Sequence, residues 1–375
     1  MKQILTIFFL LLWICACQTS EEASLSHTLH PIDTVDIALD SLSALSGFDF
    51  VVPESDSLPY LNTYNTKLHA FETYSITEKK LIKRTFLAKE GQNAILPVSD
   101  WYFHTQDSIF CLNEMLPYLF LLDGEGKIRN KWDLTAQLQV APDDAYTIAG
   151  SESVTNNLYY DKNNKTLYFF ILSDTKEFQE FYKSYIQASF QIESKKLTFQ
   201  KYPPKHYQES CCYPIDAYDF IKKGDSLIYA FAFSNSIEIK TQKKENIKPF
   251  FISNETIKKP IFNTEVQTMF NFLIETPYGR GLWYDKQNKR FYRAVKHKQP
   301  LKNATGKLNG YADAAFALLI GDENFNKIAQ VEFPEKSYDL HSSFTYQGNF
   351  WIALYSEIVE REGTMRFVIF QTIKK

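Results

Sequence analysis

Three things are scarce in this chain, and each scarcity narrows what it can be. Charge of one sign is scarce: 41 Lys and Arg stand against 44 Asp and Glu, a formal net charge of -3. That balance argues against a polyanion partner and excludes nucleic acid, which needs a concentrated basic footprint. Cysteine is scarce: of five in 375 residues, Cys15 and Cys17 sit near the N-terminus, which leaves Cys111, Cys211 and Cys212. An odd set with two adjacent members implies no disulfide framework, and no second CxxC or HxxxH completes a zinc site. Cys111, within Ser108-Ile109-Phe110-Cys111-Leu112, reads as a small buried hydrophobe. Enzyme signatures are scarce too: there is no GxSxG, HExxH or GxxxxGK[ST], and no GxGxxG after a strand. No cofactor or metal is expected.

The N-terminal apolar run, Ile4 to Ile14, is broken only by Thr6 and follows the single basic Lys2. It is too short to span a bilayer and has the length of a signal-peptide core. It ends in Ile14-Cys15-Ala16-Cys17, where small residues permit cleavage in an extended conformation and the Cys17 thiol is the nucleophile that takes a lipid. The expected organisation is a lipoprotein signal peptide over residues 1–16, a lipidated N-terminus with tether and closing strand over 17–46, and a folded domain over 47–375.

Aromatic residues are plentiful, with 31 Phe and 23 Tyr, and they favour a pleated, half-buried surface over helix bundles. Leu158 to Tyr168 is echoed by Leu282 to Tyr292, each reading strand, turn, strand. Looser copies span Phe103 to Phe110, Phe220 to Tyr229 and Phe344 to Trp351. The markers Asp107, Asn163, Asp225, Gln287 and Gly348 lie 56, 62, 62 and 61 residues apart, a period that signals a repeat architecture. Second hairpins follow at Tyr118 to Leu134, where Asp123-Gly124 is expected to supply the positive φ, and at Ala188 to Gln200, Ser236 to Ile247 and Ala315 to Phe333. Four strands per repeat make a propeller blade. The hairpin His69 to Phe86 requires one more, so the expected fold is all-β, a six-bladed β-propeller. Met365 to Ile373 leaves the last blade one strand short, and Thr34 to Leu42 is expected to close the ring by pairing there.

Two insertions separate hairpins. Thr175 to Ile186 carries Phe178, Phe181, Tyr182 and Tyr185 at helical spacing, and Pro300 to Asp313 is polar. Binding residues concentrate on loops held by rigid scaffolds, so both are candidate functional loops, and both equally suit capping of apolar edges.

Leu87-Ala88-Lys89-Glu90-Gly91-Gln92-Asn93, Trp101 to Phe110 and Leu119 to Lys127 resemble an uncharacterised family of Bacteroidetes lipoproteins, a domain of unknown function. Its members are similar to six-bladed TolB-like propellers, and Gln92 stands where that family has proline. The resemblance implies the fold and carries no catalytic residues. Glu21 and Glu22, just past Cys17, resemble the surface-export signal of such lipoproteins. Outer-membrane placement, periplasm-facing or at the cell surface, is therefore expected.

Inner strands are expected to start near Val98, Val154, Ile215, Tyr278 and Tyr338, which places Trp101, His104, Asp216, Asp219, Arg280 and His341 at or beside the axis. His341 suits an acid, base or ligand, and equally a satisfied core histidine. Arg280, between Gly279 and Gly281, can fork onto a carboxylate or sulfate or sit at a hairpin rim. Trp101 and Trp283 suit sugar stacking or inter-blade packing. Asp143-Asp144 suits a cation or a turn. The expected function is a lipid-anchored envelope module that binds a protein or glycan partner. The alternative is a carbohydrate-active enzyme, a glycosidase or lyase built around the channel.

Overall fold

A computed structural model of the chain describes residues 25–43, 60–95, 97–113, 115–141, 144–149, 158–174, 184–201, 218–241, 244–250, 266–310, 313–355 and 363–375. Cys17, the leader, Cys211, Cys212, Asp143, Asp216 and the insertion residues 175–183 lie outside the described residues.

The described chain is all-β, with strands running in antiparallel meanders. After β1 (His27–Ala38) come β2 (Tyr60–Asn65), β3 (Ala70–Ser75) and β4 (Lys80–Phe86), then β5 (Asp100–Thr105), β6 (Ser108–Asn113), β7 (Tyr118–Leu122) and β8 (Ile128–Asp133). The third group is β9 (Tyr146–Ile148), β10 (Tyr159–Asp161), β11 (Thr166–Ser173), β12 (Tyr185–Gln191) and β13 (Lys196–Lys201), and the fourth is β14 (Tyr218–Lys223), β15 (Ser226–Phe231), β16 (Ser236–Lys240) and β17 (Glu245–Pro249). Then follow β18 (Tyr278–Asp285), β19 (Arg290–Lys296), β20 (Phe316–Gly321) and β21 (Lys327–Phe333), and last β22 (Tyr338–Tyr346), β23 (Asn349–Leu354) and β24 (Thr364–Lys374). Four sheets follow chain order within themselves, with β9 also pairing β11. The fifth is open and runs β2-β3-β4-β1-β24-β23-β22.

The inner and outer hairpins form where their turn residues place them. Lys79, Lys165, Lys195, Lys289 and Gln347 all hold positive φ at the expected tips, joined by Gly224 and Gly348. One turn differs from expectation. Gly126, not Gly124, carries the positive φ of the β7–β8 turn, at 78°. Asp123 Oδ1 accepts the amides of Glu125 and Lys127 at 3.0 and 2.9 Å, and this side-chain cap sets the turn's shape.

The N-terminal strand begins seven residues before the expected Thr34, at His27, and ends at Ala38. It pairs antiparallel with β24 from His27↔Lys374 to Ala38↔Thr364, with a bulge between Pro31 and Asp33. Its other neighbour, β4, is met through the single parallel bridge Ala38↔Lys80. Tyr185 and Ile186, expected at the end of a helix, open β12 instead. Helix forms elsewhere, as α1 (Thr135–Gln139) and α2 (Val266–Glu275). The buried Lys296 ammonium donates to the carbonyls of Ile274 and Thr276, at 2.9 and 3.3 Å, where a cation favourably meets the C-terminal end of α2.

Apolar clusters fill the spaces between neighbouring sheets. Tyr64 and Phe71 pack with Trp101 and Phe103, Tyr102 and Leu119 with Leu167 and Phe190, and Tyr218 and Phe231 with Leu282 and Phe291. Tyr292 and Leu318 pack with Phe350 and Phe370, while Val35 and Phe367 pack with Leu61 and Tyr74. Sheets packed face to face in succession give a propeller-like arrangement.

Gly281 makes room for the Trp283 ring two residues along the same strand. It has φ of 73°, and a Cβ there would lie 2.1 Å from the Trp283 ring. Gly281→Ala is expected to cost about 1–3 kcal/mol, from overpacking added to left-handed strain, and to appear as a lowered urea midpoint with unchanged m-value.

Candidate functional site

Of the residues singled out in the sequence, Arg280 and His341 are brought together. They come from β18 and β22, and an Arg280 Nη2 proton reaches His341 Nε2 at 2.6 Å. Burial, with the Arg280 cation adding to it, pushes His341 down to about 3. Its ring is therefore neutral at physiological pH and accepts from the guanidinium. Asp339 is close in sequence and holds its own turn: its Oδ1 accepts the His341 amide at 3.0 Å and its Oδ2 the Ser342 hydroxyl at 2.8 Å. Burial raises Asp339. The Arg280–His341 bond ties two neighbouring first strands together.

Trp101 and Trp283 are packing residues. Trp101 is 7% exposed, and its ring lies 5.6 Å from Tyr64 and 6.2 Å from Phe71. Trp283 is 6% exposed, stands edge-on to Phe350 and donates its indole N–H to the Ser343 carbonyl at 3.2 Å. Neither indole offers a free face to a sugar, so the stacking role is replaced by the packing role. His104 is half-buried, edge-on to the Tyr160 ring at 5.0 Å. Asp219 is buried on β14, opposite Ala230. Cys111 is fully buried among apolar neighbours, and burial lifts its thiol well above the usual range. Asp144 accepts from the Ala145 amide and the Ser173 hydroxyl, a turn role. Among the described residues no group of three or more His, Cys, Asp or Glu could hold a metal ion. The described part of the insertion at 300–313 is a small turn in which Asn303 Oδ1 accepts the amides of Thr305 and Lys307.

A concavity lies elsewhere, between the β10–β13 sheet and the β14–β17 sheet. It is a cleft of about 790 Å³, within the range of small-ligand sites. One wall presents Ser189, Lys196, Thr198 and Gln200, and the other Lys222, Lys240 and Thr241. Cross-strand register gathers each wall on one face of its sheet: Ser189 stands opposite Thr198 in one, and Leu227 opposite Lys240 in the other. At the inner end the two sheets meet. Tyr229 donates to Gln187 Oε1 at 2.7 Å, and Tyr218 to the Ile186 carbonyl at 3.0 Å.

Two wholly buried polar residues stand two positions along from cleft-lining residues on the same strands. Gln187 lies two residues from Ser189 and opposite Gln200, and Glu238 lies two residues from Lys240 and opposite Tyr229. Neither Nε2 of Gln187 nor either carboxyl oxygen of Glu238 has a hydrogen-bond partner among the described residues. Burial pushes Glu238 up to about 7, which Lys240 opposes and Glu245 reinforces. Nothing in the sequence flags these residues, because a glutamate on a strand beside lysines reads as a solvated face.

The molecule is thus an all-β, propeller-like protein with a polar cleft between two of its sheets. It belongs to the family described as a domain of unknown function (DUF4221), whose model matches residues 26–329. A DUF4221 family member from Bacteroides vulgatus has a similar structure, with a TM-score of 0.80 at 16% identity over 94% of this chain and 99% of that one. A Bacteroides fragilis protein described as exported is similar at a TM-score of 0.55 and 8% identity, over 95% of this chain and 98% of that one. No curated protein matches the chain. Among the described residues no helix is long and apolar enough to cross a membrane.

Proposed function

We propose that this protein is a lipid-anchored binding module of the cell envelope, a closed six-bladed propeller that holds a glycan or protein partner without turning it over. The observation that carries the binding reading is the cleft, where hydroxyl, amide and ammonium groups from two sheets converge on one concavity. Such groups orient and select a polar ligand and need no reactive centre. The residue best placed in sequence to serve an enzyme, His341, is held neutral against Arg280 and is far from its proton-exchange range at physiological pH.

Six blades follow if the seven-stranded sheet is divided at its single β1–β4 bridge, with β1 completing the last blade on β24. Ring closure is supported by the apolar cluster that joins Val35 and Phe367 to Leu61 and Tyr74. The anchor rests on Cys17 and the apolar run before it. The exported description of the Bacteroides fragilis protein agrees with envelope placement.

Filling the cleft tests the reading. Thr198 is exposed on β13, so Thr198→Trp should leave the fold unchanged. In a screen of saccharides and envelope proteins against the full-length chain, that variant is expected to lose at least tenfold in affinity for whatever the parent binds. Undiminished binding would place the site elsewhere.

A further inference from the structure

We propose that the cleft between the β10–β13 and β14–β17 sheets takes an acidic glycan, its lysines meeting carboxylate or sulfate groups and its hydroxyl and amide walls meeting sugar hydroxyls. This inference rests on the binding-module reading above and names its ligand class.

Charge is the first argument. Four lysines, Lys196, Lys222, Lys240 and Lys244, line the cleft against two carboxylates, Asp225 and Glu245. Lys240 is paired with Glu245 at 3.4 Å. Lys222 donates to the Gly224 carbonyl, which leaves its charge uncompensated. Lys196 and Lys244 have no carboxylate partner among the described residues. The chain as a whole carries a net charge of -3, so this positive excess is local. Lysines placed on both walls of one concavity focus their field on what enters it.

Wall chemistry is the second argument. Ser189, Thr198, Gln200, Gln191 and Thr241 supply hydroxyl and amide groups, whereas Tyr168 and Leu227 are the large apolar side chains of the lining. A peptide site needs buried apolar anchors, and a single-stranded nucleic acid needs a platform of several aromatic rings. A sugar needs donors and acceptors at close intervals, which these walls provide.

Calorimetric titration of the full-length protein with an oligogalacturonate, a heparin-derived oligosaccharide and a malto-oligosaccharide of matched length tests this. At least one acidic probe is expected to bind tenfold or more tightly than the neutral one and to weaken as salt is raised, with the stronger acid identifying carboxylate or sulfate as the preferred group. Lys196→Gln with Lys222→Gln is expected to weaken acid binding about tenfold with the melting temperature unchanged. Thr198→Trp is expected to abolish it. Equal binding of acidic and neutral saccharides would overturn acid selectivity and leave the binding module standing. Preference for a phosphorylated peptide over every saccharide would overturn the glycan assignment. Absence of saccharide binding would overturn the glycan assignment, and a protein partner held undiminished by Thr198→Trp would place the binding site outside the cleft.

Discussion

Arg84→Ala is expected to lower unfolding free energy by about 3–5 kcal/mol, because it strands a fully buried carboxylate. The Glu72 side chain has no solvent exposure, and Arg84 holds it from β4 at 2.8 Å. Asn65 Nδ2 and the Tyr74 hydroxyl complete its partners at 2.9 and 2.5 Å. The far side of the same guanidinium forks onto Asp40, with Nη1 and Nη2 at 2.9 and 2.8 Å from its two oxygens. Asp40 lies just beyond β1, and the Arg84 hydrogen bonds hold its carboxyl well below the usual range. Arg84 therefore fastens the end of the N-terminal strand to the β2–β4 meander, at the border where backbone pairing supplies one bridge. The two sides of the fork differ in weight. Asp40 is 42% exposed, so Asp40→Ala is expected to cost no more than about 1 kcal/mol. Urea unfolding of both variants distinguishes them, and equal midpoints would refute a dominant role for buried Glu72. Glu72→Gln combined with Arg84→Met should recover part of the loss, since it removes the uncompensated charge.

What was legible in the sequence follows from how local each cause is. The hairpins were legible because their tips hold residues that tolerate positive φ, and the repeat of about 60 residues follows from those tips. β1 was placed late for a local reason as well. Its first half alternates poorly, with His30 to Thr34 exposed around Pro31 and the bulge, and the clear pattern starts only at Val35 and Ile37. Helix α2 went unseen because its C-terminal support is Lys296, twenty residues downstream in sequence. Arg293 was equally silent: its guanidinium bonds the carbonyls of Phe231, Ser234 and Phe250 from another sheet.

The candidate site was legible only in part. Arg280 and His341 meet as neighbouring first strands require, but the distance between them in sequence conceals that they bond each other. Trp101 and Trp283 were ambiguous because one aromatic ring serves a core or a sugar equally well, and only the facing sheet decides. Lys195-Lys196 and Lys243-Lys244 read as solvated hairpin tips. Lys195 does hold the turn, with φ of 55°, while Lys196 and Lys244 line the cleft, a role set by the neighbouring sheet.

Glu238 gives the second large effect, and its sign is opposite to that of an ordinary salt-bridged carboxylate. Burial on β16 raises it from 4.5 to about 7, so the folded state binds its proton more tightly than the unfolded chain does. Stability from this group is complete below about pH 4.5 and is lost as pH rises to about 7, a fall of about 3 kcal/mol. His341 works the other way. Its folded value of about 3 means that stability is complete above about pH 6.5 and is lost as pH falls. The two slopes overlap and oppose each other in mildly acidic solution, so the parent profile alone will look shallow. The difference between parent and Glu238→Gln removes His341 and every other shared group. That difference is expected to favour the variant progressively by about 3 kcal/mol between pH 4.5 and 7 and to stay flat above. Parallel profiles would show that the Glu238 carboxylate is solvated in the folded protein. His341→Asn should then steepen the fall of the parent between pH 4.5 and 6.5, because it removes the compensating histidine and leaves Glu238 unopposed.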